Sequence, residues 1–137
     1  MKKYVADFET CTWLEEETYV WAVATSEIGN EENVKIYNNI EEFMEFCKKE
    51  KNPQILFHNL KFDGEFVIYW LLTNGFKHVH DKKDIEDNTF TTLISDMGVF
   101  YNITIYYKKS NKSVHKVSFY DSAKIIPRFS QRNGKNI

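Results

Sequence analysis

The sequence is poor in proline, glycine and cysteine, and each shortage excludes a class of protein. Only 2 Pro and 5 Gly occur in 137 residues, which excludes collagen-like chains and flexible linkers. The two cysteines, Cys11 and Cys47, are too few for a disulfide scaffold, so we expect free thiols in a reducing compartment. No stretch approaches the roughly 18 apolar residues of a membrane span, and the N-terminal segment lacks the apolar region of a secretory signal. We therefore expect a cytoplasmic location and no membrane partner.

The sequence is rich in aromatic and charged residues. Aromatic residues make up 16% and hydrophobic residues 42%, which indicates one globular domain with its own core. Residues 1–100 carry 10 basic and 19 acidic side chains, whereas residues 101–137 carry 8 basic and 1 acidic side chain. A basic last quarter is weak evidence for an anionic partner. An ordinary solvated surface is the simpler explanation of the charge alone.

Hydrophobic patterning predicts an α/β domain with a mixed sheet. Alternating or β-branched runs predict strands at 3–8, 18–28, 33–37, 54–58 and 114–121. Two further runs within 89–107, split by residues 96–98, predict a hairpin. The run 54–58 is nearly all apolar, which predicts a strand buried on both faces. Residues 78–88 are predicted to form a surface loop.

Two helices are predicted between these strands. The first is capped by Asn38 or Asn39 and stopped by Pro53, because apolar residues follow at helical spacing (Ile40, Phe43, Met44, Cys47). The second spans about 62–72 and is apolar almost all round, which predicts a deeply packed helix. We place a domain at residues 1–127 and a polar tail at 128–137.

Three carboxylates, Asp7, Glu9 and Asp63, stand beside the most apolar segments of the sequence. Asp7 and Glu9 end the first predicted strand, where a period of two directs both side chains to one face. Asp63 opens the second predicted helix. A divalent cation is the strongest compensation available to such acids, and carboxylate oxygens suit Mg²⁺ or Mn²⁺. Two such ions can hydrolyse a phosphodiester.

Each acid taken alone has a simpler explanation. Asp7 and Glu9 are also what a solvated strand end would carry, and Asp63 is an acid of the kind that the dipole favours at a helix start. The conjunction of the three is what favours a metal site.

The conjunction closely resembles the 3′→5′ exonuclease domain of family B DNA polymerases, in the protein-primed branch of small phages and linear genetic elements. The run Asp7-Phe8-Glu9-Thr10 is similar to the first exonuclease motif of that family. The run Phe57-His58-Asn59-Leu60-Lys61-Phe62-Asp63-Gly64 is similar to the second, and Tyr120-Asp121-Ser122-Ala123-Lys124 also looks like this branch. The similarity spans residues 4 to about 127.

The resemblance implies a fold, a reaction and a set of site residues. The fold is ribonuclease H-like, of the DnaQ-like exonuclease type, with a mixed sheet flanked by helices and an added β-hairpin. The reaction is two-metal hydrolysis at single-stranded DNA 3′ ends with Mg²⁺ or Mn²⁺. Asp7 would bind both metals, Glu9 the metal that activates water, and Asp63 the second metal. Six further positions would hold the DNA strand: Thr10, His58, Asn59, Phe62, Phe66 and Ser122.

Some of these positions have alternative explanations. Phe66 lies on an apolar helix and is also expected in the core, and for Phe62 the two interpretations are equal. His58 is nearly as well explained as a core histidine. Leu56 stands where the branch often has an aromatic residue, so one stacking contact is expected to be absent.

The resemblance also implies a fourth carboxylate, from a third motif of the form Tyr-x-x-x-Asp. No such motif follows Asp63 in this sequence, and Asp121 directly follows Tyr120. We therefore expect an incomplete metal site and a truncated exonuclease domain of a phage or mobile-element DNA polymerase, weak or inactive as an isolated chain. The alternative is a non-catalytic, polymerase-derived module that binds single-stranded DNA or a replication partner. The terminal protein and the remainder of a polymerase are the protein partners that the resemblance suggests.

Overall fold

A computed structural model describes residues 2–11, 19–94, 100–110 and 113–122. They form eight strands and two helices, with a short 3₁₀ turn at Lys82–Asp84. In chain order these are β1 (Lys3–Cys11), β2 (Tyr19–Glu27), β3 (Asn30–Tyr37), α1 (Ile40–Lys49), β4 (Gln54–Phe57), α2 (Leu60–Thr73), β5 (Lys77–His78), β6 (Thr89–Ile94), β7 (Phe100–Ser110) and β8 (Ser113–Asp121). The predicted turn at 96–98, the domain boundary at 127 and the tail at 128–137 lie outside the described residues.

The eight strands form one mixed sheet in the order β3-β2-β1-β4-β8-β7-β6-β5. The central strand β4 runs parallel to β1 on one side and to β8 on the other, and β5 runs parallel to β6. The other neighbours are antiparallel. The predicted mixed α/β architecture and the antiparallel pair within 89–107 are confirmed.

Both helices pack on the same face of the sheet. The Phe43 ring of α1 contacts the rings of Phe8, Phe57 and Phe119, which lie on β1, β4 and β8. On α2, a Cβ added to Gly64 would lie 3.3 Å from Cδ1 of Ile103, and Ile103 pairs with Phe119 in the sheet register. Directly paired residues share a face, so the two helices and these strands enclose one core.

The first helix begins as the sequence predicts. Asn39 is its N-cap, and the Asn39 side-chain oxygen accepts a hydrogen bond from the Glu42 N–H at 2.8 Å. A Glu42 carboxylate oxygen accepts in turn from the Asn38 N–H at 3.0 Å. This reciprocal pair satisfies amide groups that would otherwise have no partner at a helix start.

The end of α1 is tied to β8 through a buried histidine. His115 is 4% exposed, and its Nε2 lies 3.2 Å from the Cys47 carbonyl oxygen. The Asn52 N–H donates to His115 Nδ1 at 3.5 Å, so Nε2 carries the proton and donates to Cys47. Asn52 has a left-handed φ of 43°, and its side-chain oxygen accepts from the Lys116 N–H at 3.0 Å.

Two predictions about burial are wrong. The helix α2 is not packed all round, because Tyr69 is 66% and Leu72 55% exposed, while Val67 is fully buried. Strand β4 is not buried on both faces: Phe57 is buried, whereas Leu56 is half-buried. Both errors have the same cause, since the two helices cover only one face of the sheet. Residues 78–88, predicted as a loop, also contain the end of β5 and the 3₁₀ turn.

Cys11 and Cys47 are both free thiols, and Cys47 is buried, as predicted. No helix in the described part of the chain is long and apolar enough to cross a membrane.

Candidate active site

The first strand directs two acids away from the core. Tyr4, Ala6 and Phe8 of β1 are buried, whereas Asp7, between Ala6 and Phe8, and Glu9, after Phe8, are exposed. The alternation follows from the period of two in a strand. Strand β4 pairs with β1 only as far as Ala6, so Asp7 lies just beyond the carboxyl end of the central strand.

The junction between β4 and α2 places the third acid close to the first two. Asn59 is the N-cap residue of α2, and its carbonyl oxygen accepts hydrogen bonds from the N–H groups of Phe62 and Asp63, both at 3.0 Å. Its side chain makes no cap bond and is exposed. Asp63 therefore lies in the first turn, where it is 6% exposed.

Electrostatics couple Asp63 to both acids of β1. The pKa of Asp63 is raised from 3.8 to about 7, mainly by burial and also by the negative charges of Asp7 and Glu9. A hydrogen bond from the Phe8 backbone N–H to the Asp63 carboxylate acts in the opposite direction. Such mutual repulsion among carboxylates is what a bound cation relieves.

The donor chemistry of these three acids fits a hard divalent cation, because carboxylate oxygens are its preferred ligands. In the described ranges, however, no group of three or more histidine, cysteine, aspartate or glutamate side chains is arranged to hold a metal ion. The three-carboxylate metal site therefore stays a prediction.

The six candidate DNA-contacting residues lie at the ends of β1, β4 and β8 or in the first two turns of α2. Ser122 is buried, and its Oγ is 3.4 Å from Nδ1 of the exposed His58, so His58 is not a core histidine. The Phe62 and Phe66 rings are 5.3 Å apart in an edge-to-face contact. Phe62 is 46% exposed, and Phe66 is half-buried against the core.

Thr10 and Asn59 complete the set of candidate residues. Thr10 is half-buried and pairs with Val20 across a β-bulge that follows Glu9. The bulge leaves Trp21 opposite no residue of β1, and Trp21 is 52% exposed. Bulges are frequent next to active sites because they redirect side chains. Leu56 stands where the protein-primed branch often has an aromatic residue, and it is half-buried on β4.

Sequence reasoning missed an aromatic surface beside this site. Tyr19 is 46% and Tyr69 is 66% exposed, and neither was selected as a site residue. The sequence did contain a signal for this aromatic surface, since Phe62, Phe66 and Tyr69 follow the i, i+4, i+7 spacing of one helix face. The strongly apolar composition of α2 obscured it.

Comparison with known proteins identifies relatives of one kind. No family model matches the chain. The chain is 42% identical to the DNA polymerase of Bacillus phage M2 over 127 residues, which are 92% of this chain and 21% of that protein. It is 32% identical to the DNA polymerase of Streptococcus phage Cp-1 over 136 residues, covering 90% of this chain and 21% of that protein. The chain thus spans about a fifth of the length of the curated relatives it matches.

Solved structures give the same result. The phi29 DNA polymerase complexed with single-stranded DNA superposes with a TM-score of 0.80 at 40% identity, over 92% of this chain and 22% of that one. An orthorhombic crystal form of the same polymerase gives a TM-score of 0.81 at 39% identity, over 92% and 21%. These matches confirm the predicted fold class.

Proposed function

Because the chain is homologous over 92% of its length to the N-terminal region of phi29-type phage DNA polymerases, we propose that it is part of a 3′→5′ exonuclease domain acting on single-stranded DNA. The observation that carries the proposal is the placement of Asp7, Glu9 and Asp63 at one edge of the sheet, close enough for their charges to interact. That edge is where the parallel strands β1 and β4 end.

The carboxylates would hold the metal ions. Asp7 would bind both ions, Glu9 the water-activating ion, and Asp63 the second. Bound Mg²⁺ or Mn²⁺ supplies charge that lowers the pKa of a water and stabilises the leaving oxygen. Burial is the main cause of the raised pKa of Asp63, and repulsion from Asp7 and Glu9 adds to it; a bound ion would remove that repulsion.

The remaining candidate residues would hold the DNA strand. Phe62 exposes an aromatic face at the start of α2, where it can stack on a base. The exposed amide of Asn59, the His58–Ser122 pair and Thr10 offer polar groups for sugar and phosphate. One of the structural neighbours is described as a complex with single-stranded DNA, which supports this substrate.

Cleavage by the 137-residue chain should be slow. No Tyr-x-x-x-Asp follows Asp63 in the sequence, so one metal ligand and one water-orienting group are missing from the set that the family resemblance implies. Each loss should cost on the order of 10²–10³ in rate. We expect slow or undetectable 3′ trimming with Mn²⁺, visible in a gel time course on a 5′-labelled oligonucleotide.

Metal binding is the sharper test of the site. Calorimetric titration with Mn²⁺ should give heat with the wild type and none with Asp7→Ala. Glu65→Gln is the matched control, because Glu65 is an exposed acid on the same helix as Asp63. Equal heats from the wild type and Asp7→Ala would contradict the metal assignment. In the cleavage assay, rapid trimming that Asp7→Ala abolishes would show that another group replaces the missing motif, and Asp121 would be the first residue to substitute.

A second candidate function is a module that binds single-stranded DNA or a replication partner without cleaving it. It is favoured by the lack, in the described residues, of a cluster arranged to hold a metal ion. DNA binding that is equal in Mn²⁺ and in chelator, with no Mn²⁺ heat, would favour this function over the exonuclease.

A further inference from the structure

A groove lies between α2, the start of β2 and the start of α1. It encloses about 260 Å³, slightly below the usual range of small-ligand pockets. Its walls are mainly aromatic and aliphatic, formed by Tyr19, Val20, Ile40, Phe66, Tyr69 and Trp70. Among the described residues, Glu41 is the one charged side chain that lines it, beside the polar Thr73 and Asn74.

The groove continues the aromatic surface that begins at the carboxylates. Phe62 stands one residue before Asp63 and contacts Phe66. Phe66 lines the groove, and Tyr69 follows on the same face of α2. Tyr69 stands seven positions after Phe62, which is roughly 10 Å along a helix axis.

We propose that this groove takes a base of the single-stranded DNA whose 3′ end lies at Asp7, Glu9 and Asp63, with Tyr69 and Tyr19 as stacking surfaces. The inference rests on the proposed function and extends the binding site along α2, away from the reacting end. Single strands are held by successive bases stacked on aromatic side chains, and Tyr69 and Tyr19 are the exposed rings at the groove.

The chemistry of the groove favours a base over a charged partner. The described part of its lining carries no basic side chain, so it offers an anionic backbone no cationic partner, and phosphates would remain in solvent. The adjacent depression along α1 is different, because four glutamates (Glu41, Glu42, Glu45, Glu50) and one lysine, Lys49, line it, and this negative balance would repel DNA. A strand leaving the site is therefore directed along α2 rather than along α1.

The test measures how binding depends on strand length. Fluorescence anisotropy would be recorded at low salt, in chelator so that strands stay intact, with oligothymidylates of about two to eight nucleotides. Tyr69→Ala should lower affinity for the longer strands roughly tenfold and leave affinity for the shortest unchanged. Tyr69→Phe, which keeps the ring, should bind as the wild type does.

Two controls separate the possible failures. Leu72→Ala removes another exposed side chain of α2 that does not line the groove, and it should bind all lengths normally. Phe62→Ala should weaken every length. If Phe62→Ala weakens binding and Tyr69→Ala does not, the groove proposal is wrong and the proposed function stands. If the wild type binds no strand at low salt, both the groove proposal and the proposed function fail. Equal losses of affinity in Tyr69→Ala and Leu72→Ala would also overturn the groove proposal.

Discussion

Asp63 combines burial with a charge, and this combination should make the stability of the chain depend on pH. Its pKa is raised from 3.8 to about 7, first by burial and then by Asp7. An acid with a raised pKa holds its proton more tightly in the folded state, so the folded state loses stability as pH rises from about 4 to about 7. Above that range the loss is complete.

We therefore predict that Asp63→Asn unfolds at a higher temperature than the wild type at about pH 8, in chelator, and that the difference disappears near pH 4. The amide has no proton to lose, and its oxygen can still accept from the Phe8 N–H. Thermal unfolding followed by circular dichroism at several pH values measures this. Glu65→Gln, on the same helix but exposed, should show no such pH-dependent gain. If the unfolding temperatures of the wild type and Asp63→Asn change with pH in the same way, the ionisation of Asp63 does not affect stability and the prediction is wrong.

His115 is a second residue whose surroundings predict a measurable effect. Both of its ring nitrogens make hydrogen bonds, to the Cys47 carbonyl and the Asn52 N–H. His115→Leu would leave both groups without these partners in a buried place, at a cost of roughly 1–3 kcal/mol each. Urea unfolding should show the loss, with His80→Leu, an exposed histidine, as the control. A loss of unfolding free energy no larger than that of the control would argue against a stabilising role of the two His115 hydrogen bonds.

At the scale of elements, the start of α1 offers the clearest prediction. The Asn39 side chain caps the helix through the Glu42 N–H, so Asn39→Ala should lower the free energy of unfolding by about 1 kcal/mol. Asn38→Ala is the matched control, because Asn38 contributes its backbone N–H to the pair. Chemical denaturation compares the two variants, and equal stabilities would contradict the cap.

The elements also show how far sequence reasoning reached. Local signals predicted α1, since its cap, its apolar spacing and the following proline all act within a few residues. The exposure of Tyr69 and Leu72 on α2 could not be predicted from apolar composition, because composition does not say which faces of the sheet the helices cover. The two-residue strand β5 was missed for a similar reason: among the described strands it pairs with β6 alone, and no local pattern marks so short a pairing.

For the site, sequence reasoning predicted residues but not their geometry. The run from His58 to Asp63 marks a strand-to-helix junction, and the structure places Asp63 near β1 as that junction requires. The exposure of His58 and its contact with Ser122 depend on the parallel pairing of β4 with β8. That pairing joins segments about sixty residues apart, beyond the range of any periodicity.

At the scale of the whole molecule, the uneven charge predicts a salt dependence. Residues 101–137 carry 8 basic side chains and 1 acidic side chain, so phosphate contacts from this segment should weaken as counterions compete. We expect the affinity for a single-stranded oligonucleotide to fall several-fold between about 50 mM and 200 mM salt. Anisotropy at the two salt concentrations measures it. An affinity that does not change with salt would mean that stacking alone holds the strand.

The parallel pairing of β4 with both β1 and β8 also affects synthesis of the chain. Strand β4 receives its first partner from residues 3–6 and its second from residues 118–121. Chains emerge from the ribosome N-terminus first, so β4 can pair with β1 long before β8 exists. During that interval the middle of the future sheet is an open edge, which can pair with any other extended chain. Slow translation between residues 58 and 118 would prolong the exposure of this edge and favour aggregation, although β4 is paired on both sides once the sheet is complete.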